Sequence, residues 1–552
     1  MACCCCTWLL LAAIAAVVGL AKWRFLQVLL KRGGKGEGSS FARPQPSARY
    51  TKVAEEVATY IAEDLGQNTG GRDMDHQESA RMASAMVAAG TFLTVDDLIR
   101  SKAERLFEVH RKAAGVVEGG LGVRLTVQFN LFGGSVANLG CARQVEWLRG
   151  VMQRGELGCF ALTEFKAGVL SGLIVDTTAT WNEKGFLLHS PEPIEQSRKV
   201  WISQGLVAKW AVVIARLILP GGVDKGPHAF VLDLESKGVI KEDMPAKVDF
   251  NPLDNAYLTF DNVQMPLDSI LSAISHVDEE GNYHLTDPSV PFNFVVVAQR
   301  LLSGRVCIAG ASLGYLERLS AAVTEYADDR KIPVGRDEAV PLSQLPVMRD
   351  SLESTRMVRL VLQQYVAELE RQFMSVDQIG PSLVHQIACG KVECIGFAID
   401  SVQRLKTGVG SLSLFEHGPF GSKNDLLFVF RFAEGDSAVL QQKMVRDAVK
   451  KLASPVRMAA AVASMATKVL VDKDGVGCAR AVLSCTLLRL ALRLNGKRGG
   501  AMVQAWLQSH ELITKIAVLH ARLTIFDAVA PTMRGTRELD AYKRHMINPL
   551  VV

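Results

Sequence analysis

Within the segment Phe432–Gln442, FAEGDSAVLQQ, three residues around one glycine carry groups that can do chemistry: Glu434, Asp436 and Ser437, with Gly435 between them. They follow an apolar run, LLFVFRF, and open a stretch with helical spacing. Two kinds of chemistry fit that junction. Asp436 or Ser437 can accept the unpaired N–H groups of a helix start, where negative charge also suits the dipole. A carboxylate held dry at the same place becomes a stronger base, because desolvation raises its pKa. Gly435, next to Glu434, lets another group approach the backbone closely. Metal chemistry has no comparable support. Cys141, Cys159, Cys307, Cys389, Cys394, Cys478 and Cys485 lie in apolar surroundings, form no CxxC, and have no zinc-like His spacing. They read as buried small hydrophobes in a reducing compartment, and no metal is expected.

Holding such a carboxylate dry needs a large scaffold, and 552 residues suffice for three or four domain-sized units. A hydrophobic content of 49% with 22% charged residues is that of a globular chain. Eight Lys or Arg and one acid, Glu37, lie between Lys22 and Lys52, so the body is nearly neutral despite the net +5. That argues against nucleic acid as a partner. Residues 3–21 carry no charge over 19 positions, enough to cross a bilayer, and Lys22, Arg24, Lys31 and Arg32 would keep the body cytosolic. Cysteines 3–6 suit palmitoylation. A cleaved targeting peptide ending near Gly19-Leu20-Ala21 is the alternative.

The spacing divides the chain into a hydrophobic anchor or targeting segment (1–31), a Gly/Ser/Pro linker (32–49), a helical unit (50–157), a β unit (158–272), a helical bundle (291–454) and further helices (455–552). The β unit is read from β-branched, alternating runs such as KWAVVIARLIL, AFVLDLE and NAYLTFDNVQM. The bundle is read from LLSGRVCIAGASLGYLERLSAAVTEYADDR, LSQLPVMRDSLESTRMVRLVLQQYVAELERQF, SLVHQIACGKVECIGFAIDSVQRL and the helix after Asp436.

This order, with a carboxylate opening the last bundle helix, resembles the acyl-CoA dehydrogenase and oxidase superfamily. The motifs that carry the resemblance are collinear from about residue 50 to 450: FNLFGGSVANLG (129–140), GCFALTE (158–164) with TTATW (177–181), KVWISQGLVAKWAVVIARL (199–217), LDNAYLTFDNVQMP (253–266), YADDRK (326–331) and AEGDSAVLQQ. Three of them, GCFALTE with TTAT, LFGGSVANLG and EGDSAVLQQ, lean toward the oxidases. The implied fold class is α+β: an N-terminal helical domain, a central β-barrel and a C-terminal four-helix bundle, with extra C-terminal helices.

The resemblance implies an FAD enzyme that removes a proton from Cα and a hydride from Cβ of a fatty acyl-CoA, giving trans-2-enoyl-CoA. Glu434 would be the base, with Gly435 and Arg305 near the substrate. Thr163, Trp201, Ser203 and Gly205 would face the flavin. Arg330, from a neighbouring subunit of a homodimer, and Gly408 and Gly410 of KTGVGS would face the rest of FAD. Dioxygen would take the electrons in an oxidase, a protein acceptor in a dehydrogenase. A catalytically inactive, membrane-tethered scaffold of the same fold is a further alternative. Val169 stands where the family has a substrate-binding serine, with Ser171 as a possible substitute. The family compartment is the peroxisome, although the final PLVV is not an SKL-type signal.

Overall fold

The computed structural model describes residues 74–114, 119–167, 174–247, 250–286, 299–335, 338–376, 379–415, 420, 424–451 and 476–547. The apolar segment 3–21, the linker, the helix expected at YTKVAEEVATYIAEDL, Val169, Ser171 and PLVV lie outside the described residues.

The N-terminal unit is helical: α1 (His76–Ala89), α2 (Glu104–Ala113), α3 (Gly119–Leu125), α4 (Gly134–Leu139) and α5 (Ala142–Gln153). Between α3 and α4 the chain winds as a π-helix, Thr126–Gly133, a widened form that occurs disproportionately at functional sites. Its apolar side chains, Phe129 and Phe132, are buried, and so are its polar ones, Gln128 and Asn130.

Nine strands follow: β1 (Gly158–Ala161), β2 (Thr178–Asn182), β3 (Gly185–His189), β4 (Lys199–Ser203), β5 (Trp210–Leu219), β6 (Val223–Asp233), β7 (Val239–Asp243), β8 (Asn255–Phe260) and β9 (Val263–Met265). One sheet has the order β1-β5-β2-β3-β9 with β6 along β5, and the other has the order β4-β8-β7. Alternate residues of both sheets, among them Ala179, Phe186, Ile202, Val213, Phe230 and Leu258, fill one shared core. The β unit runs past the expected end at 272. A hairpin of β10 (Ser275–Val277) and β11 (Tyr283–Leu285) joins the same core through Val277, and Tyr283 bonds His228 of β6. Its strands are too short and too polar to stand out as an alternating pattern.

The long helices α6 (Gln299–Asp329), α7 (Pro346–Ser375) and α8 (Pro381–Val409) pack on one another, and α2 lies against α6. Arg300–Asp329 is long and apolar enough to cross a membrane, yet 72% of its most apolar window is buried inside the protein. It serves as the central bundle helix. α9 (Asn424–Phe432) and α10 (Ser437–Lys451) follow, and α10 lies on α8 beside the C-terminal helices α11 (Val476–Leu494), α12 (Gly499–Leu507), α13 (His510–Met533) and α14 (Arg537–Ile547). Leu440, Met444 and Val445 of α10 share a core with Leu487, Leu490, Ile513 and Ile516. The extension therefore braces the helix that follows Glu434.

Candidate active site

The chain turns sharply between α9 and α10. Glu434 (φ 57°) and Gly435 (φ 94°) are both left-handed, a conformation glycine adopts freely and glutamate rarely. The capping function of the junction falls to Asp436, whose Oδ1 accepts from Ala438 N at 2.6 Å. Glu434 takes no part in the cap and points inward, only 7% exposed. Such strain at a non-glycine residue persists only where its surroundings fix it. Two cations do so here. Arg305 Nε of α6 donates to Glu434 O at 2.8 Å, and Lys391 Nζ of α8 donates to Gly435 O at 2.5 Å. The Glu434 carboxyl lies against Gly304, where a Cβ would fall well under 3.0 Å from its Cδ and both oxygens. Asn130 Nδ2 lies 3.4 Å from Oε1, a weak bond, and Oε2 has no hydrogen-bond partner among the described residues. Burial pushes the carboxyl up to about 8, against the opposing pull of Arg305, Lys391, Asn130 and Arg300.

The π-helix links this turn to the sheets. Asn130 is itself fixed, donating to Arg300 O at 3.1 Å and accepting from Ser303 Oγ at 2.7 Å. Two residues earlier, Gln128 Oε1 accepts from Gly158 N of β1 at 2.7 Å and from Gln204 Nε2, just after β4, at 3.1 Å. One widened helix therefore contacts Glu434 with one amide and the ends of two strands with another.

On the sheet side, Lys199 and Glu164 form a fully buried ion pair at 2.7 Å. Glu164 also accepts from Thr177 N and Oγ1 at 3.0 and 2.7 Å, and Lys199 donates to Ile214 O at 2.8 Å. This pair anchors the loop carrying Thr163, whose carbonyl accepts from Val200 N at 2.9 Å. The β4–β8 register shifts between Lys199 and Ile202, and at that bulge Trp201 has φ 57° and is 59% exposed. A bulge re-aims a side chain, and this one turns a large indole outward. Ser203 is half-buried, with its Oγ accepting from Asn255 Nδ2 at 3.1 Å.

No family model matches the chain. It is 29% identical over 371 residues to acyl-coenzyme A oxidase 2, peroxisomal, of Arabidopsis thaliana, covering 63% of this chain and 53% of that one. The chain thus spans about half the length of this curated relative. Among solved structures, acyl-CoA oxidase 3 of Yarrowia lipolytica superposes with a TM-score of 0.72 at 19% identity, over 90% of this chain and 78% of that one. Acyl-CoA oxidase 2 of Caenorhabditis elegans, solved with FAD, ascaroside-CoA and ATP, gives 0.71 at 18%, over 92% and 81%. The fold is that of the acyl-CoA oxidase and dehydrogenase superfamily.

Within this acyl-CoA oxidase-like fold the expected site residues fall into three groups. Glu434, Gly435 and Arg305 meet: a Cβ on Gly435 would lie 2.8 Å from Arg305 Nη2. Thr163, Trp201, Ser203 and Gly205 gather where β1 ends and β4 runs. Gly205 is a packing residue there, because a Cβ would come within 2.8 Å of Ala256 Cβ. Arg330, Gly408 and Gly410 stand at the far end of the bundle. Arg330 follows α6, exposed, about 39 Å along the helix from Gly304 at 1.5 Å per residue. Gly408 does not sit in a flexible turn as read from KTGVGS. α8 continues through it to Val409, and a Cβ there would meet Met348 Cε at 2.8 Å. Only Gly410, with φ 83°, ends the helix in a glycine-favouring conformation.

Sequence reasoning missed Asn130, Gln128, Gly304, Lys391 and the Glu164–Lys199 pair. Three of these had a signal: Gln128, Asn130 and Lys391 are polar residues inside otherwise apolar helical runs, where a buried polar group must find a partner.

Proposed function

We propose that this chain is an FAD-dependent acyl-CoA oxidase, converting a fatty acyl-CoA to trans-2-enoyl-CoA and dioxygen to hydrogen peroxide. The observation that carries the reading is the Glu434 carboxyl: dry, with an unpartnered Oε2 and a pKa pushed to about 8. Burial raises ion-paired Glu370 as well, but Arg111 occupies that carboxylate, whereas Glu434 Oε2 is left open, which suits a base for a weakly acidic C–H. FAD, when bound, would supply the acceptor for the hydride from Cβ and the route of the electrons to dioxygen. The residues present fit that cofactor. Trp201 offers an outward-turned indole face, and Ser203, accepting from Asn255, keeps its own O–H to donate. Thr163 is held beside them by the Glu164–Lys199 pair, and Gly205 keeps the turn after β4 tight.

Glu434 takes the Cα proton. Its backbone cannot swing, because Arg305 and Lys391 hold the two carbonyls of the turn. Asn130 orients Oε1 and leaves Oε2 for the substrate. Arg330, Gly408 and Gly410 are too far along α6 and α8 to serve the same site from within one protomer. We assign Arg330 to the FAD pyrophosphate of a second copy, which makes the enzyme a homodimer. The names of the curated relatives favour the peroxisome and an oxidase over a dehydrogenase.

The test is a spectrum of the purified chain. A flavin band near about 450 nm should bleach with acyl-CoA and return in air. Bleaching that persists in air assigns a dehydrogenase with a protein acceptor. Colourless protein that takes up no added FAD leaves the scaffold reading.

A further inference from the structure

The oxidase reading above does not use one ionisable group beside the base. Lys391 lies in the middle of α8, fully buried, between Gly390 and Val392, which are also buried. Its Nζ donates to Gly435 O at 2.5 Å and to Arg431 O at 3.2 Å. Arg431 is in the last turn of α9, where carbonyls lack helical partners and a cation suits the dipole. From the opposite side Arg305 Nε holds Glu434 O. Two cations on two helices thus fasten three carbonyls within residues 431–435.

The charge around the turn is distributed as follows. Facing Glu434 are Arg305, Arg300 and the Cys307 thiol from α6, Lys391 from α8 and the Asn130 amide from the π-helix. Facing Lys391 are Glu434 and Asp436 from the turn, Arg305 from α6 and Arg431 from α9. Asp436 is engaged as the cap of α10, so Glu434 is the uncommitted carboxylate beside this ammonium. A lone buried ammonium is costly, and a lone buried carboxylate equally so.

We propose that Lys391 is a positioning residue for Glu434: it locks the left-handed turn that aims the carboxyl and supplies the counter-charge of its ionised form. The target of the carboxyl, Cα of an acyl thioester, rests on the oxidase reading. The Lys391–Glu434 coupling does not. Burial lowers Lys391 to about 7 while it raises Glu434 to about 8, so both groups change charge over one interval. Within it the neutral pair outweighs the ion pair by about tenfold, and the state with ionised Glu434 and protonated Lys391, the one that can abstract a proton beside its counter-charge, is a minor one most populated near the middle of the interval.

The experiment is a double-mutant cycle of K391Q and E434Q on the full chain, unfolded in urea from pH 5 to 9, with K391R alongside. The side-chain amide of the K391Q variant still donates to the carbonyls but carries no charge. The coupling should peak between about pH 7 and 8, where the two charges coexist most often, stay below about tenfold in the unfolding constant because the neutral pair dominates there, and fade on both sides as one partner loses its charge. In turnover, K391Q should move the rising limb of the pH–rate profile upward by about one unit or more, and K391R should keep it near the wild-type position. A coupling that is flat with pH, together with an unchanged profile in K391Q, would reduce Lys391 to a cap of α9 and overturn the proposal. If K391Q does not fold, K391R decides through the same profile. A chain that folds and shows the coupling but neither binds flavin nor turns over would sink the oxidase reading and leave this one standing.

Discussion

Gly304→Ala isolates the contact on which the site depends. Gly304 is inside α6, where alanine would ordinarily stabilise a helix by about 1 kcal/mol. Its Cβ would sit well under 3.0 Å from three carboxyl atoms of Glu434, while ordinary contact begins near 3.4 Å. The carboxyl or the helix must therefore retreat by roughly an ångström, at an overpacking cost of about 1–3 kcal/mol. Net stability should fall by about 0–2 kcal/mol. A displacement of that size in a reacting group costs on the order of a hundredfold in rate. Gly310→Ala, two turns on, is the control: its neighbours would lie at 3.7–3.8 Å, so stability should rise and activity should stay. The assay is urea unfolding with kcat/KM on an acyl-CoA for both variants and for G304A combined with E434A. The double variant should regain the stability lost at 304 without regaining activity. A G304A protein that is active and as stabilised as G310A would show that the carboxyl does not lie on α6, and the reasoning would fail.

Glu434→Gln should lower the rate by about 10²–10⁴-fold. It should also change stability with a definite sign. A carboxyl that ionises near 4.5 in the unfolded chain and near 8 in the folded one costs nothing below the lower value and at most about 5 kcal/mol above the upper. Urea unfolding should therefore find E434Q gaining on wild type between about pH 4 and pH 9; an identical gap at both would contradict the buried carboxyl. Lys199→Met leaves Glu164 buried and unpaired, so thermal unfolding should show a loss of about 3–5 kcal/mol, largely recovered when Glu164→Leu is added. Asn130→Ala removes the amide beside Oε1 and the acceptor of Ser303, and should lower kcat more than it raises KM. Arg330→Ala should release FAD on gel filtration without disturbing the pH–stability behaviour of Glu434, whose carboxyl lies against Gly304, about 39 Å from Arg330 along α6.

Residue type and spacing in the sequence expose the junction of FAEGDSAVLQQ, because an acid and a glycine at a helix start form a local signal. The division of labour inside it is not local. Asp436 and Ser437 are both caps by spacing, and the structure gives the cap to Asp436 while the left-handed backbone at Glu434 turns that side chain inward. Gly304 is one of several small residues on α6, and nothing in its neighbours announces that a carboxyl from about 130 residues later needs its missing Cβ. KTGVGS shows the opposite error. Two glycines suggested a loop, but tertiary packing on Met348 carries α8 through the first, and only the second ends the helix.

The buried charges follow a rule that sequence alone could only have hinted at. Lys199 meets Glu164 within the β unit, and Arg522 meets Glu393 at 2.8 Å between α13 and α8; both are pairs in which each charge answers the other. Around Glu434 the balance is different. Arg305, Lys391 and Arg300 converge on a single carboxyl, yet the two nearest cations spend their hydrogen bonds on backbone carbonyls. Had either formed a direct ion pair, it would have pulled the carboxyl down and occupied the oxygen a base must offer. Because they hold the turn instead, Glu434 keeps its high pKa and an open Oε2 while the surrounding positive charge limits the cost of ionising it. The arrangement therefore leaves a carboxyl that is costly to ionise yet open at one oxygen, which is what the proposed proton abstraction requires.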